Sequence, residues 1–215
     1  MPINFLAGQV LVFDKPLGMT SFGLVAKVRW LLTRAMGGRK IKVGHAGTLD
    51  PLASGVMLLC TGRATKQIET LQAGTKTYEA TIQLGATTPS FDLEHAIDAT
   101  YPTDHLSRDV VEKALDAFRG DIMQVPPVFS ACKVEGKRAY DLARKGQDVA
   151  LQAKPIHIYE YVLTAYRDDT HQADMRIVCS KGTYIRSLAR DLGEALGCGA
   201  HLTALRRTAV GDHDL

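Results

Sequence analysis

Asp50 stands within "GHAGTLDPLASGVMLLCTGRATK" (residues 44–66) as the only acidic residue between Lys15 and Lys66, a span that holds nine lysines and arginines. A lone carboxylate in a cationic, glycine-rich stretch has two uses. Asp before Pro punctuates turns and accepts backbone hydrogen bonds. An ionised carboxylate can also serve as nucleophile or charge stabiliser toward an anionic substrate drawn in by the surrounding cations. His45 in the same loop, and glycines that let backbone approach a ligand closely, favour the second use. The local residues leave both open.

Other chemistries find less support. No G-x-x-x-x-G-K-[ST] occurs and no G-x-G-x-x-G follows a strand, so no nucleotide cofactor is expected. His45 and Asp50 have no second His or Cys near them, too few ligands for a catalytic metal, and no metal is expected. Cys60, Cys132, Cys179 and Cys198 show no paired spacing and read as reduced core residues of a cytoplasmic protein. No run reaches 18 apolar residues, so no membrane span is expected. The apolar start "INFLAGQVLVF" is broken by Asp14-Lys15-Pro16 and reads as a strand rather than a signal peptide.

The net charge of +3 says little, but its distribution says more. Phe91 to Asp121 carries eight acids against three bases, the reverse of the Lys15–Lys66 span. A basic lobe beside an acidic one suits a polyanion steered to one face; two differently solvated surfaces would look the same.

The elements that must position these residues follow from periodicity. "QVLVF" (9–13) predicts a strand. Thr20 or Ser21 caps a helix to about Leu32, with Val25, Val28, Leu31 and Leu32 on its apolar face. "RAMGGRK" reads as a flexible glycine-basic loop, and "GVMLLC" (55–60) as a buried strand. "KTYEATIQLGA" (76–86) alternates cleanly, with Tyr78, Ala80, Ile82 and Leu84 on one side, and predicts a half-buried antiparallel strand. Ser107 caps a helix carrying Val111, Leu115 and Phe118, stopped by Gly120. An extended "VPPVFSACKV" precedes a short basic helix, "KRAYDLARKG". Strands at about 155–166 and 172–180 lead to a helix with Ile185, Leu188, Leu192 and Leu196. With no repeat and no linker composition, the order of elements predicts one α+β domain over residues 1–215, its central mixed, mostly antiparallel sheet flanked by helices.

"LVFDKPLGMTSF" (11–22), "GHAGTLDPLASGVMLLCTGRATK" (44–66), "KTYEA" (76–80) and "CSKGTYIRSLARDLGEALGCGAHLTALRRTAVG" (179–211) resemble, in order, the motifs of the TruB-type tRNA pseudouridine synthases. The resemblance spans nearly the whole chain. It implies a pseudouridine-synthase-like fold and isomerisation of one uridine of the tRNA T-loop, position 55 in tRNA numbering, without a cofactor. The reaction breaks the bond between ribose C1′ and uracil N1, turns the base and rebonds it through C5. Nothing is oxidised and no group is donated.

The site roles come from that resemblance. Asp50 matches the Asp of the family's "LDP" motif, the nucleophile. Arg186 in "GTYIR" matches its ion-pair partner, which would offset the tendency of a buried carboxylate to protonate. Tyr78 and Tyr184 match the residues that hold the extruded uracil, with Tyr78 as acceptor of the C5 proton. On alternation alone Tyr78 is a core aromatic, and on position alone Arg186 is a helix-start surface arginine. His45 matches a histidine that holds the rearranged T-loop, Leu205 a residue at the substrate pocket, and Asp92 an acid near the extruded nucleotides. Lys15, Lys66, Arg144, Arg206 and Arg207 are candidate phosphate contacts, each equally readable as solvated surface charge; Lys15-Pro16 can alternatively brace the Asp50 loop.

The chain departs from the family pattern at Pro89 in "TTPSFD", where an acid is usual. Members normally continue into a C-terminal PUA-type RNA-binding domain, and ending at Leu215 implies either a truncated chain or a naturally minimal version. The implied partner is the tRNA T-stem-loop, bound by a monomer in the cytoplasm. The rival reading is a tRNA-folding or RNA-binding module with dispensable catalysis.

Overall fold

The computed structural model describes residues 4–130, 132–134, 137–138 and 151–215. Of the basic helix predicted over 137–146, Lys137 and Arg138 instead form a short strand, and residues 139–146, Arg144 among them, lie outside the described residues. The chain divides into two compact units, Met1–Tyr78 with Leu205–Leu215, and Glu79–Ala204.

The first unit is built on β3 (Ala53–Thr61), whose "GVMLLC" run is buried along its length. Met57 and Leu59 point to one side, into a cluster with Ile41 and with Leu24, Val25 and Val28 of α1 (Ser21–Ala35). Val56 and Leu58 point to the other, against Val210 and, at its margin, Ile68 and Leu71 of α2 (Ile68–Ala73). A strand covered on both faces needs no polar alternation, which is why it reads as a continuous apolar run. Strand β1 (Val10–Lys15) and the short β2 (Val43–His45) pair antiparallel with β3, and Leu205–Arg207 of the last strand, β12 (Ala200–Val210), pair with it in parallel. Helix α1 starts where Thr20 accepts a hydrogen bond from the Gly23 amide at 2.9 Å. Its buried positions are Ser21, Leu24, Val25 and Val28, one helical stripe. Leu31, expected on that stripe, is 48% exposed, and Leu24 takes the inward place.

The second unit holds the remainder of β4 (Lys76–Leu84), then β11 (Gln172–Cys179), β10 (Lys154–Arg167) and β7 (Gly120–Gln124) in that hydrogen-bonded order. β10 is antiparallel to both β11 and β7. The alternation read in β4 is borne out: Tyr78, Ala80, Ile82 and Leu84 are buried and Glu79 is exposed. Two ribbons, β5 (Ala86–Thr87) with β6 (Ala99–Thr100) and β8 (Lys133–Val134) with β9 (Lys137–Arg138), lie off the main sheet. Ser107 caps α3 (Arg108–Ala114), which tightens into a 3-10 turn over Leu115–Phe118 before Gly120. Helix α4 (Ile185–Ala195) buries Ile185, Leu188, Ala189 and Leu192. The architecture is therefore α+β with a mixed, mostly antiparallel sheet. No helix among the described residues is long and apolar enough to cross a membrane.

Gly55 sits where β1 and β12 both flank β3, with φ +105°. A Cβ there would lie 2.1 Å from the Arg207 carbonyl oxygen. Gly55→Ala is expected to cost more than about 3 kcal/mol in urea unfolding, because strain and overlap add. Gly18→Ala, at φ +80° with nothing within 4 Å, is expected to cost about 1 kcal/mol. Equal losses in the two variants would contradict this placement of β3.

Candidate active site

Asp50 occupies an irregular loop between β2 and β3, half-buried, with its carbonyl accepting from the Ala53 amide at 3.0 Å. The turn reading of "TLDP" is thus correct for the backbone, and it leaves the carboxylate to be explained. What surrounds the loop is a set of buried polar side chains. Ser21, at the start of α1, donates from Oγ to the Leu49 carbonyl (2.8 Å) and accepts from the Leu49 amide (2.9 Å). Arg207 is 1% exposed. Its guanidinium donates to the carbonyls of Val56 (2.8 Å), Thr48 (3.3 Å) and Gly47 (3.3 Å). The Gly18 amide donates to the Pro51 carbonyl at 2.8 Å. Every residue from Gly47 to Pro51 except Asp50 itself is therefore gripped at the backbone by a remote part of the first unit. A buried loop must have its peptide groups answered, and here side chains supply most of the answers.

Lys15 is fully buried, with Nζ donating to the carbonyls of Met19 (2.7 Å) and Pro16 (3.1 Å). The bracing alternative is the one realised; a phosphate contact is not, since the ammonium has no solvent-facing surface. Burial pushes the Lys15 ammonium below its ordinary range, the Asp50 charge pulls it back up, and the Arg207 charge adds to the downward push. Arg207 is likewise no surface phosphate contact. Arg206 is half-exposed and holds Asp14 in a two-point ion pair (2.8 and 3.1 Å), which lowers the Asp14 carboxyl below its usual value. Lys66 is exposed in the 3-10 turn Gly62–Gln67, and Leu205 is half-buried opposite Ala53. Tyr78 is 7% exposed on β4.

His45 ends β2 with Nδ1 buried and without a hydrogen-bond partner among the described residues. Burial lowers its pKa, a backbone hydrogen bond with Gly47 opposes this, and the Arg207 charge reinforces it.

In the second unit, Arg186 is the second residue of α4 and is 4% exposed. Nη1 donates to the Ser90 carbonyl (3.2 Å) and Nη2 to the Phe129 carbonyl (2.9 Å), while Nε stands 3.7 Å from Oδ2 of Asp92. The surface-arginine reading is overturned. Asp92 is buried in a tight turn: its carbonyl accepts from Thr88 Oγ1 (2.7 Å) and its Oδ1 from the Glu94 amide (3.0 Å). Phe91 within that turn takes φ +61°. Tyr184 is half-buried at the N-cap of α4. Asp92 and Arg186 are thus brought together within this unit. Sequence reasoning had put both near substrate and missed their mutual contact.

The residues missed altogether are Ser21 and Gln124 as backbone clamps, together with the clamping role of Arg207. Only Ser21 had a signal, as a candidate cap.

A profile described as TruB family pseudouridylate synthase (N terminal domain) matches residues 34–185, and one described as tRNA pseudouridylate synthase B C-terminal domain matches residues 186–215. The chain belongs to the TruB family of pseudouridylate synthases. It is 64% identical over 210 residues to tRNA pseudouridine synthase B of Phocaeicola vulgatus, covering 98% of this chain and 88% of that one. It is 49% identical over 215 residues to the protein of the same name from Flavobacterium johnsoniae, covering 100% and 93%. Among solved structures, a chain of a Cbf5-Nop10-Gar1 complex superposes with a TM-score of 0.70 at 27% identity. That match covers 97% of this chain and spans about half, 51%, of the other. An H/ACA RNP bound to a substrate RNA matches with a TM-score of 0.66 at 26% identity, over 95% and 48%. For a TruB family member the pseudouridine-synthase-like fold follows.

The lowered His45 pKa has a definite sign. As pH falls below the ordinary 6.5, the unfolded chain takes up the proton before the folded one does. The contribution is intact above about pH 6.5 and is lost as pH drops toward the folded value. The His45 ring resonances are expected to titrate with a midpoint below 6.5. The acid limb of stability should become shallower in His45→Gln. A midpoint above 6.5 would contradict the buried, neutral imidazole.

Proposed function

We propose that this chain isomerises uridine 55 of the tRNA T-loop to pseudouridine, with Asp50 as nucleophile, Arg186 as its cationic partner, and residues 1–215 working as one catalytic domain. The observation that carries this reading is a single carboxylate on a loop whose backbone is clamped on both sides of it, in a chain of the TruB family. Catalytic groups gain from being held before substrate arrives, since no reorganisation is then needed during the reaction. Clamped neighbours on both sides of a carboxylate are what such a role calls for.

The chemistry balances without a cofactor. The C1′–N1 bond breaks, a C1′–C5 bond forms, C5 loses a proton and N1 ends protonated. Tyr78 is the acceptor of the C5 proton, and Tyr184 with Leu205 contacts the extruded base. His45 and Asp92 contact the displaced T-loop nucleotides. The neutral state favoured for His45 suits stacking and hydrogen bonding better than attraction to phosphate.

Substrate class is supported by the names of the relatives, tRNA pseudouridine synthase B. It is supported too by the charge of the first unit. Of the nine basic residues from Lys15 to Lys66, Lys15 alone is buried; Lys27, Arg29, Arg34, Arg39, Lys40, Lys42, Arg63 and Lys66 are exposed. Phe22 and Trp30 are exposed among them on α1, with Arg29 and Arg34 near their rings. Cations interleaved with aromatics suit a nucleic-acid surface. Lys66 is a phosphate contact in this reading. The protein works in the cytoplasm as a monomer.

Asp50→Asn is expected to bind a T-stem-loop RNA within about 3-fold of wild type and to form no detectable pseudouridine by mass spectrometry. Undiminished turnover would remove Asp50 from the chemistry and leave the RNA-folding reading. Wild type is further expected to prefer a folded T-loop over an unstructured RNA of equal length and charge. Equal affinity, falling with salt alike for both, would mark a general polyanion binder.

A further inference from the structure

Gln124 closes β7 and is 2% exposed. Its side-chain amide is not spent on its own strand. Oε1 accepts from the Tyr184 amide at 2.8 Å, and Nε2 donates to the Tyr184 carbonyl at 3.1 Å. One side chain thus answers both peptide groups of one residue 60 positions away.

That residue stands at a point where the chain needs help. Tyr184 is the N-cap of α4, and no side chain of the helix's own N-terminus caps it. Helices leave their first amides unsatisfied, and a local Ser, Thr, Asp or Asn ordinarily answers one of them. Here the answer comes from another element. Two more bonds tie the chain just past this strand end to the first two turns of the helix: Ser187 Oγ donates to the Val125 carbonyl (2.8 Å), and Arg190 Nη2 to the same oxygen (3.1 Å). Arg186, in the first turn, donates to the Phe129 carbonyl at the end of the "QVPPVF" run.

A bond to each side of one residue fixes its φ and ψ, and with them the direction of its Cα–Cβ bond. For Tyr184 that direction aims the ring, and two residues on it sets where the Arg186 side chain leaves the helix. Neither Tyr184 nor Arg186 is at the centre of a rigid strand; both belong to a loop-to-helix junction that would otherwise fray. We infer that Gln124 is a positioning residue for the isomerisation: it caps α4 in trans and holds Tyr184 and Arg186 in the orientation that the reaction uses. The inference rests on the function proposed above.

A glutamate at this position discriminates positioning from mere filling. When protonated, its carboxyl has one donor and one acceptor and can repeat both bonds of Gln124; when ionised, it has only acceptors and faces the Tyr184 carbonyl with like polarity. Burial favours the protonated form in the acid range. A methionine has similar volume and neither polar group.

The test uses the full chain and a T-stem-loop RNA. For Gln124→Met, kcat is expected to fall at least about 10-fold while RNA affinity stays within about 3-fold. For Gln124→Glu, activity relative to wild type is expected to rise as pH is lowered from 8 to 5.5. Exchange of the Tyr184 amide proton, followed by NMR, is expected to quicken at least about 10-fold in Gln124→Met. A flat activity ratio in Gln124→Glu, or unchanged kcat in a folded Gln124→Met, would overturn the positioning role. If wild type forms no pseudouridine, the proposed function fails instead, and the amide exchange still decides the clamp: unchanged exchange sinks it.

Discussion

Irregular backbone can be buried only if something answers its amides and carbonyls, and the first unit meets that demand with polar side chains sent in from distant strands and helices. Ser21 closes on both peptide groups of Leu49, Arg207 reaches the carbonyls of Gly47, Thr48 and Val56, and Lys15 ties down Pro16 and Met19. The second unit repeats the device, with Gln124 on Tyr184, Ser187 on Val125 and Arg186 on Ser90 and Phe129. Apart from Val56 on β3, the backbone groups clamped in this way belong to segments outside the sheet and helix ladders. Apart from the local Lys15 bonds, their shape is borrowed from residues far away in sequence.

The clamps carry an electrostatic consequence. Lys15 and Arg207 bring positive charge into the interior beside the Asp50 loop, and the Asp50 charge helps Lys15 keep its proton against burial. A buried cation is tolerated when its donors are used, and carbonyl oxygens use them here. Burial, reinforced by the Arg207 charge, pushes His45 toward its neutral form. Structural support and the local electrical environment are thus supplied by the same side chains. Removing one for the sake of the other is not possible at Arg207, where a neutral replacement would free three carbonyls at once.

Regular elements were legible because periodicity is a local property. The alternation in β4, the uninterrupted apolar run of β3 and the caps at Thr20 and Ser107 all appear in the structure where expected. Leu31 failed because helix stripes drift, and Leu24 lies nearer the centre of the buried face. The surface readings of Lys15, Arg186 and Arg207 failed for a different reason. A charged side chain reads as surface unless its partners are known, and those partners are backbone carbonyls, which every residue has and no sequence pattern marks. Gln124 is the extreme case: a glutamine at a strand end has no feature that distinguishes a clamp from a solvated amide.

From the order of amino acids alone came the α+β class, most elements with their caps, the family resemblance and the list of residues able to do chemistry, because side-chain type, spacing and hydrophobic period are written directly in the chain. Tertiary structure alone decided which of the cations are surface and which are struts, that Asp92 and Arg186 meet at 3.7 Å, and that Tyr184 is held by Gln124. Those outcomes depend on which peptide groups are left without a partner once strands and helices have formed, and that inventory exists only after the chain has folded.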